Sequence, residues 1–264
     1  MQISVLGAGA GGTAVAFDCA SHGHNVRLFD FEQFPANIAA IAGQGGINAE
    51  GDISGFAEIA YAGHDVDEAL TGAELIYVVG PAYSTEPFGA AVAGKLRAGQ
   101  TVIVTPGSCG GALAFKRAAG LAVDDESVRV AETSTLHYAV RLTSPGTVRV
   151  FLKLKAGNLL AALPGKHTAA ILDLIADVYP SMEPAESILQ TTLQNANPII
   201  HPAVTLSNAA RIEMTGGDFQ FYEEGVSDSV GRLIEALDKD LIAIGNKLGI
   251  TVAPDPEMGK RQGL

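Results

Sequence analysis

Tryptophan is absent, cysteine occurs twice, and lysine and arginine number 17 against 29 acidic residues in a chain of 264. Each shortage excludes something. Cys19 and Cys109 stand far apart with no Cys-x-x-Cys pair or Cys/His ligand spacing, so neither a disulfide framework nor a structural zinc site is expected, and a reducing cytoplasm suits the pattern. Cys109 has no sequence-adjacent base and reads as a packing residue. The shortage of bases leaves a net charge of -12, which repels phosphate backbones and anionic lipid, so nucleic acid and membrane surfaces are not expected partners. No apolar run reaches the roughly 18 residues of a membrane span. No Lys or Arg precedes Arg27, so the opening stretch lacks the basic start of a signal peptide and reads as a strand entering a glycine turn.

What is present points to a packed, glycine-rich fold: 31 glycines, 17% charged residues and a mean hydropathy of +0.23 exclude disorder. Short β-branched runs at 3–6, 25–29, 58–61, 74–79, 101–104 and 128–131 alternate with alanine-rich helical stretches. That is the grammar of an α/β Rossmann fold, a doubly wound parallel sheet with helices on both faces. The run at 147–156 is expected at the edge of this sheet, followed by a helix over 167–179 that Pro180 ends. From about 181 the periodicity becomes helical without strands. Val230, Leu233, Ile234, Leu237, Leu241, Ile244 and Leu248 form one stripe of a helix over 227–249, capped by Ser227 or Asp228 and ended by Gly249. The expected division is a dinucleotide-binding domain at 1–180 and an all-helical C-terminal substrate domain at 181–264.

Gly7, Gly9 and Gly12, with Ala10 and Gly11 between them, form a GxGxxG turn directly after the first strand and before a helix. The first glycine permits the turn, the second lets backbone approach a pyrophosphate, and the third lets helix and strand pack closely. Asp30 ends the second strand, where a carboxylate accepts hydrogen bonds from ribose hydroxyls. No base follows it to hold a 2′-phosphate, so NAD is favoured over NADP, with Arg27 the nearest residue able to reverse this. Gly80, Pro81 and Thr105 lie in loops at predicted C-terminal strand ends, where open α/β sheets bind ligands, and are candidate linings for the nicotinamide half.

In the second half, residues 194–203 concentrate polar groups beside two prolines in an apolar region. His201 titrates in the range suited to proton transfer during hydride chemistry, and Asn197 and Asn208 could orient substrate or cofactor amides. A hydrogen-bonded core histidine beside helix caps is the alternative.

The stretch NANPIIHPAVTLSNAARIE at 195–213 resembles the region around the catalytic histidine of the opine dehydrogenases, the octopine and nopaline enzymes. AETSTLHYAVRLTSPGTVRV at 131–150 and AALPGK at 161–166 resemble further segments of that family in the same order. The resemblance implies reductive condensation of an amino acid with a 2-oxo acid through an imine reduced by NAD(P)H, with His201 as general acid/base. Arg141 is then a candidate clamp for a substrate carboxylate. Family members are longer and carry an acidic partner for the histidine further on. This sequence ends at Leu264 before such a segment, as expected of a shortened member or a fragment, and leaves Glu213, Asp218, Glu224 and Asp228 as nearby acids. A 2-oxo or 2-hydroxy acid reductase and a non-catalytic dinucleotide-binding module are the other readings. The apolar helical half also predicts a face for pairing with a second copy as a homodimer.

Overall fold

The β-branched runs form strands because their side chains are covered on both faces. In the computed structural model, which describes residues 1–263, β1 (Gln2–Leu6) leads into α1 (Ala10–Ser21), β2 (Asn25–Phe29) and α2 (Pro35–Gln44). Then come β3 (Gly46–Gly51), β4 (Gly55–Glu58), β5 (Tyr61–Gly63), α3 (Val66–Ala69), β6 (Leu75–Val79), α4 (Thr85–Ala91), β7 (Thr101–Thr105) and α5 (Gly111–Ala118). The chain continues with β8 (Arg129–Thr133), β9 (Tyr138–Ser144), β10 (Thr147–Lys153), β11 (Leu159–Leu163), α6 (Thr168–Ile175) and β12 (Glu183–Pro184). Helices α7 (Ile188–Leu193), α8 (Asn197–Ser207), α9 (Ala209–Met214), α10 (Asp228–Leu248) and α11 (Asp255–Gln262) complete the chain.

The main sheet has the order β12-β11-β8-β7-β6-β1-β2-β5, with its Rossmann portion from β8 to β5 parallel throughout and β11 running against β8. Every residue of β6 and β7 is buried. A second sheet, β4-β3-β10-β9, stands apart from it. Helix α1 packs against both sheets, which is why its sequence is apolar around the whole cylinder instead of along one stripe. Its one charged residue, Asp18, is 1% exposed and is met from the second sheet by Lys153 Nζ at 2.7 Å and by the Tyr138 hydroxyl, which donates across 2.6 Å. An ion pair this deep ties the layers together, and removing either partner alone would strand the other charge.

Several expectations are corrected. The run at 147–156 does not lie at the edge of the main sheet; as β10 it is central in the second one, between β3 and β9. The run at 58–61 is split, since Glu58 ends β4 in one sheet and Tyr61 starts β5 in the other, with Ile59 and Ala60 crossing between them. The helix predicted to reach 179 ends at Ile175, and Glu183–Pro184 adds a short strand beside β11 inside the segment expected to hold none. Helix α10 keeps its Ser227 cap, which accepts from the Val230 amide, and its left-handed Gly249 end. Its stripe divides, because neighbours cover Val230 while Leu233, Ile244 and Leu248 stay exposed. Met258 of α11 returns to the main sheet and packs with Leu159 and Ala161 of β11. Among the described residues no helix is long and apolar enough to cross a membrane.

His137, 2% exposed, stacks on Tyr179 with ring centroids 4.1 Å apart and receives the Asn158 amide at Nδ1 across 3.1 Å. Burial, helped by the nearby Lys153 charge, pushes this imidazole down to about 3. Between that value and the ordinary 6.5 the unfolded chain takes up a proton that the folded chain refuses, so stability falls as pH drops through this window. The expected contribution is at most about 1.4 kcal/mol per pH unit. Urea unfolding of wild type and His137→Phe between pH 7 and 4 checks it: the variant should lose stability with acid less steeply, and parallel slopes would exclude His137 as the source.

Candidate functional site

The turn from β1 into α1 is built on contacts that no side chain could share. A Cβ on Gly12 would lie 1.8 Å from the Gly7 carbonyl oxygen, and one on Gly7, at φ +114°, would lie 2.0 Å from the Val79 carbonyl oxygen. These two glycines let helix, first strand and β6 close on one another. Gly9 differs: a Cβ there would meet nothing within 4 Å, since its α-carbon faces open space. Gly9 is also the N-cap of α1 and no side chain caps the helix. The first-turn amides, including those of Gly11 and Gly12, are therefore open to an anion, and the helix dipole favours one there.

Beside this turn lies a cavity of about 520 Å³ lined by Gly7, Gly9, Asp30, Gly80 and Pro81 among others. Its apolar wall contains Phe31 and Phe88, stacked with centroids 5.0 Å apart, together with Phe34 and Pro35. Asp30 is held by two amides: Ala8 N–H donates to Oδ2 at 2.7 Å and Phe31 N–H to Oδ1 at 2.8 Å. Burial raises the Asp30 carboxyl above its ordinary value, while these two amides act in the opposite direction. A carboxylate has about four lone-pair directions, so the two that remain can accept from a diol in the cavity. Arg27, which might have offered a base to a 2′-phosphate, is occupied with Glu68 (2.6 Å to its carbonyl, 3.0 Å to its carboxylate) and lies over the Tyr61 ring.

Thr105 is a correction. Its side chain is fully buried and accepts from the Thr133 hydroxyl at 2.8 Å across adjacent strands, so it cannot touch a ligand in this cavity. Arg141 is another. It precedes Leu142, which lines the cavity, and strand alternation turns it to the opposite face, where its guanidinium donates to the Val140 carbonyl at 2.8 Å. Arg141 is therefore not part of this cavity's wall. Asn208 donates to the Val204 and Gly225 carbonyls at 2.8 and 3.0 Å, which makes it a brace at the end of α8. Cys109, read as packing, is exposed.

His201 lies on α8, exposed, with Phe221 5.3 Å away between ring centroids and the Tyr222 hydroxyl 3.4 Å from Nε2. Partial burial lowers its pKa below the ordinary histidine value. Among the described residues no hydrogen bond or ion pair joins it to a carboxylate; Glu224, one of the four nearby acids, is engaged by Arg211 and by the Gln220 amide. Neither His201 nor Asn197 lines the cavity, and the Asn197 amide instead donates to Asn195 Oδ1 at 2.9 Å.

Sequence reasoning missed the contacts that bring the start of α8 to the sheet. Thr192 Oγ1 accepts from the Gly110 amide at 3.0 Å, and Asn195 donates to the Ser108 carbonyl at 3.2 Å. The fully buried Glu132 of β8 accepts from Thr191 Oγ1 at 2.6 Å and from the Ala112 amide at 2.8 Å. Its burial raises its pKa. A glutamate inside a buried strand run was the available signal, because such a carboxyl needs partners.

Residues 184–261 match the family described as NAD/NADP octopine/nopaline dehydrogenase, alpha-helical domain, and residues 2–113 match the NAD-dependent glycerol-3-phosphate dehydrogenase N-terminus. An opine dehydrogenase of Arthrobacter sp. (strain 1C) is 36% identical over 250 residues, covering 94% of this chain and 68% of its own. This chain belongs to the opine dehydrogenase family. The solved octopine dehydrogenase in complex with NADH and agmatine superposes with a TM-score of 0.72 at 18% identity, over 93% of this chain and 64% of its own. D-mandelate dehydrogenase with NADH gives a TM-score of 0.72 at 14% identity, over all of this chain and 79% of its own. The chain thus spans about two thirds of the length of its opine dehydrogenase relatives.

The glycine geometry separates folding from binding in this opine dehydrogenase family member. Gly12→Ala should lower the melting temperature by several degrees, because backbone must move. Gly9→Ala should leave it within about a degree yet weaken NADH binding at least tenfold. Thermal melts and fluorescence titrations check both, and equal NADH affinity in Gly9→Ala would place the pyrophosphate elsewhere.

Proposed function

We propose that this chain is an NAD-dependent opine dehydrogenase, joining the amino group of an amino acid to a 2-oxo acid by reduction, or oxidising the resulting secondary amine. The single observation that carries the reading is the docking of the segment before His201 onto the loop at the C-terminal end of β7, beside the sheet edge that also forms the glycine-loop cavity. We take the dinucleotide-binding part to run to about 180 and the helical part from 181.

The nicotinamide, when bound, supplies or accepts hydride. The α1 N-terminus and the open α-carbon of Gly9 would receive the pyrophosphate, Asp30 would accept from ribose hydroxyls, and the phenylalanine wall would border the adenine. Loss of water from amine and 2-oxo acid gives an imine, and its reduction to the secondary amine requires one proton. His201 moves protons at the carbinolamine oxygen and at the substrate nitrogen. Its neighbours Phe221 and Tyr222 exclude water from one side of the ring, which favours the neutral imidazole.

NADH oxidation followed by absorbance, with a 2-oxo acid and a panel of amino acids, tests the proposal. Consumption only when both substrates are present is expected. Consumption with the oxo acid alone would indicate a hydroxy acid reductase, and NADH binding without consumption a non-catalytic module. His201→Ala should lower kcat at least a hundredfold while the Kd for NADH changes less than threefold.

A pH dependence follows from the lowered His201 value. Oxidation of the secondary amine needs the neutral base, so the acid limb of kcat/KM in that direction should be centred below pH 6.5. A limb centred at or above 6.5 would assign it to another group.

A further inference from the structure

The hairpin between β9 and β10 belongs to the second sheet, yet it reaches the cavity, where Leu142 forms part of the wall. Its tip, Gly146, is held at both ends of its backbone by one face of α2. Asn37 Oδ1 accepts from the Gly146 amide at 2.7 Å, and Gln44 Nε2 donates to the Gly146 carbonyl at 2.9 Å. Positions seven apart fall on the same side of a helix two turns along, so these side chains grip the turn as a pair. Gly146 has φ +77°, and a Cβ there would lie 2.5 Å from Gln44 Nε2, so the grip is fitted to glycine.

Asn37 makes two more bonds from its other end. Its Nδ2 donates to the Ala8 carbonyl at 2.6 Å and to Thr13 Oγ1 at 2.9 Å. Ala8 is the residue whose amide holds Asp30. One side-chain amide thus ties the glycine loop to the hairpin and borders the peptide that orients the ribose-binding carboxylate.

We propose that Asn37 is a positioning residue for the dinucleotide, and that through it and Gln44 the second sheet becomes a working wall of the cofactor site. The inference rests on the reading of the cavity as a dinucleotide site. Asn37 sets the path of the Ala8 peptide, and thereby the aim of Asp30 and the α1 amides. Gln44, whose Nε2 also donates to the Gly46 carbonyl of β3 at 2.7 Å, reaches the cavity through Gly146, holding Leu142 over it. The clamp lies on the adenosine and pyrophosphate side, so it should affect NADH and ADP-ribose alike.

The test is calorimetric titration of wild type, Asn37→Ala, Asn37→Asp and Gln44→Ala with NADH and with ADP-ribose, alongside melting temperatures. Asn37→Ala is expected to weaken both ligands about tenfold, the size of a few lost hydrogen bonds near a ligand. Asn37→Asp keeps an acceptor for Gly146 but turns an oxygen towards the Ala8 carbonyl, and should weaken both ligands at least as much. Gln44→Ala, which touches neither the cavity nor the glycine loop, should weaken both about threefold. In turnover the KM for NADH should follow these Kd values while kcat at saturating NADH falls no more than twofold. Lowered melting temperatures with unchanged affinities would make Asn37 and Gln44 purely structural and overturn the proposal. So would an effect of Asn37→Ala without any effect of Gln44→Ala, or a loss for NADH that ADP-ribose does not share. Failure of wild type to bind either ligand would instead overturn the dinucleotide reading, and the clamp with it.

Discussion

Everything around the cavity depends on how closely the first helix approaches the strand before it. The missing Cβ atoms of Gly7 and Gly12 bring the α1 N-terminus against the Gly7 carbonyl and against β6. That approach places Ala8 where its amide reaches Asp30 at the end of β2 and its carbonyl reaches Asn37. The Ala8 and Phe31 amides then set the orientation of Asp30, the only carboxylate bordering the cavity among the described residues. Its geometry is settled before any ligand arrives, which lowers the ordering cost of binding.

A second constraint is that α1 is covered twice. In a simple doubly wound fold the helices have a wet side; here the second sheet takes that side, and Asp18 is buried with Lys153 and Tyr138 as partners. The same sheet supplies the hairpin over the cavity. The layer that stabilises α1 and the layer that shapes the site are therefore one body, and core substitutions in β9 or β10 should be felt at the cavity.

The helical part is attached through hydrogen bonds to loop backbone and through one buried carboxylate. Thr191, Thr192 and Asn195 meet Glu132, Gly110 and Ser108, while Met258 returns from the far end to the main sheet. His201 thus sits on an element anchored six residues before it, at Asn195. Its exposure and its aromatic neighbours make it a titrating group with water on one side and rings on the other.

Periodicity and turn chemistry were enough to read the parallel strands, the glycine turn, Asp30, and the Ser227 and Gly249 ends of α10, because each depends on residues close in sequence. The second sheet was illegible for the opposite reason. β3 is glycine-rich and pairs with β10 about a hundred residues away, so no local pattern marks it. Which face Arg141 presents was equally illegible, because strand phase relative to the cavity is a tertiary quantity: one residue along, Leu142 lines it. Thr105 and Asn208 were misjudged because a polar side chain at a loop or helix end is equally suited to a ligand and to neighbouring backbone. The sequence by itself determined the fold class and the glycine turn, since steric exclusion at glycine and hydrophobic period are local properties. The tertiary structure alone decided which polar groups remain free for chemistry, because a hydrogen-bonding side chain is free only when no distant part of the chain has come close enough to occupy it.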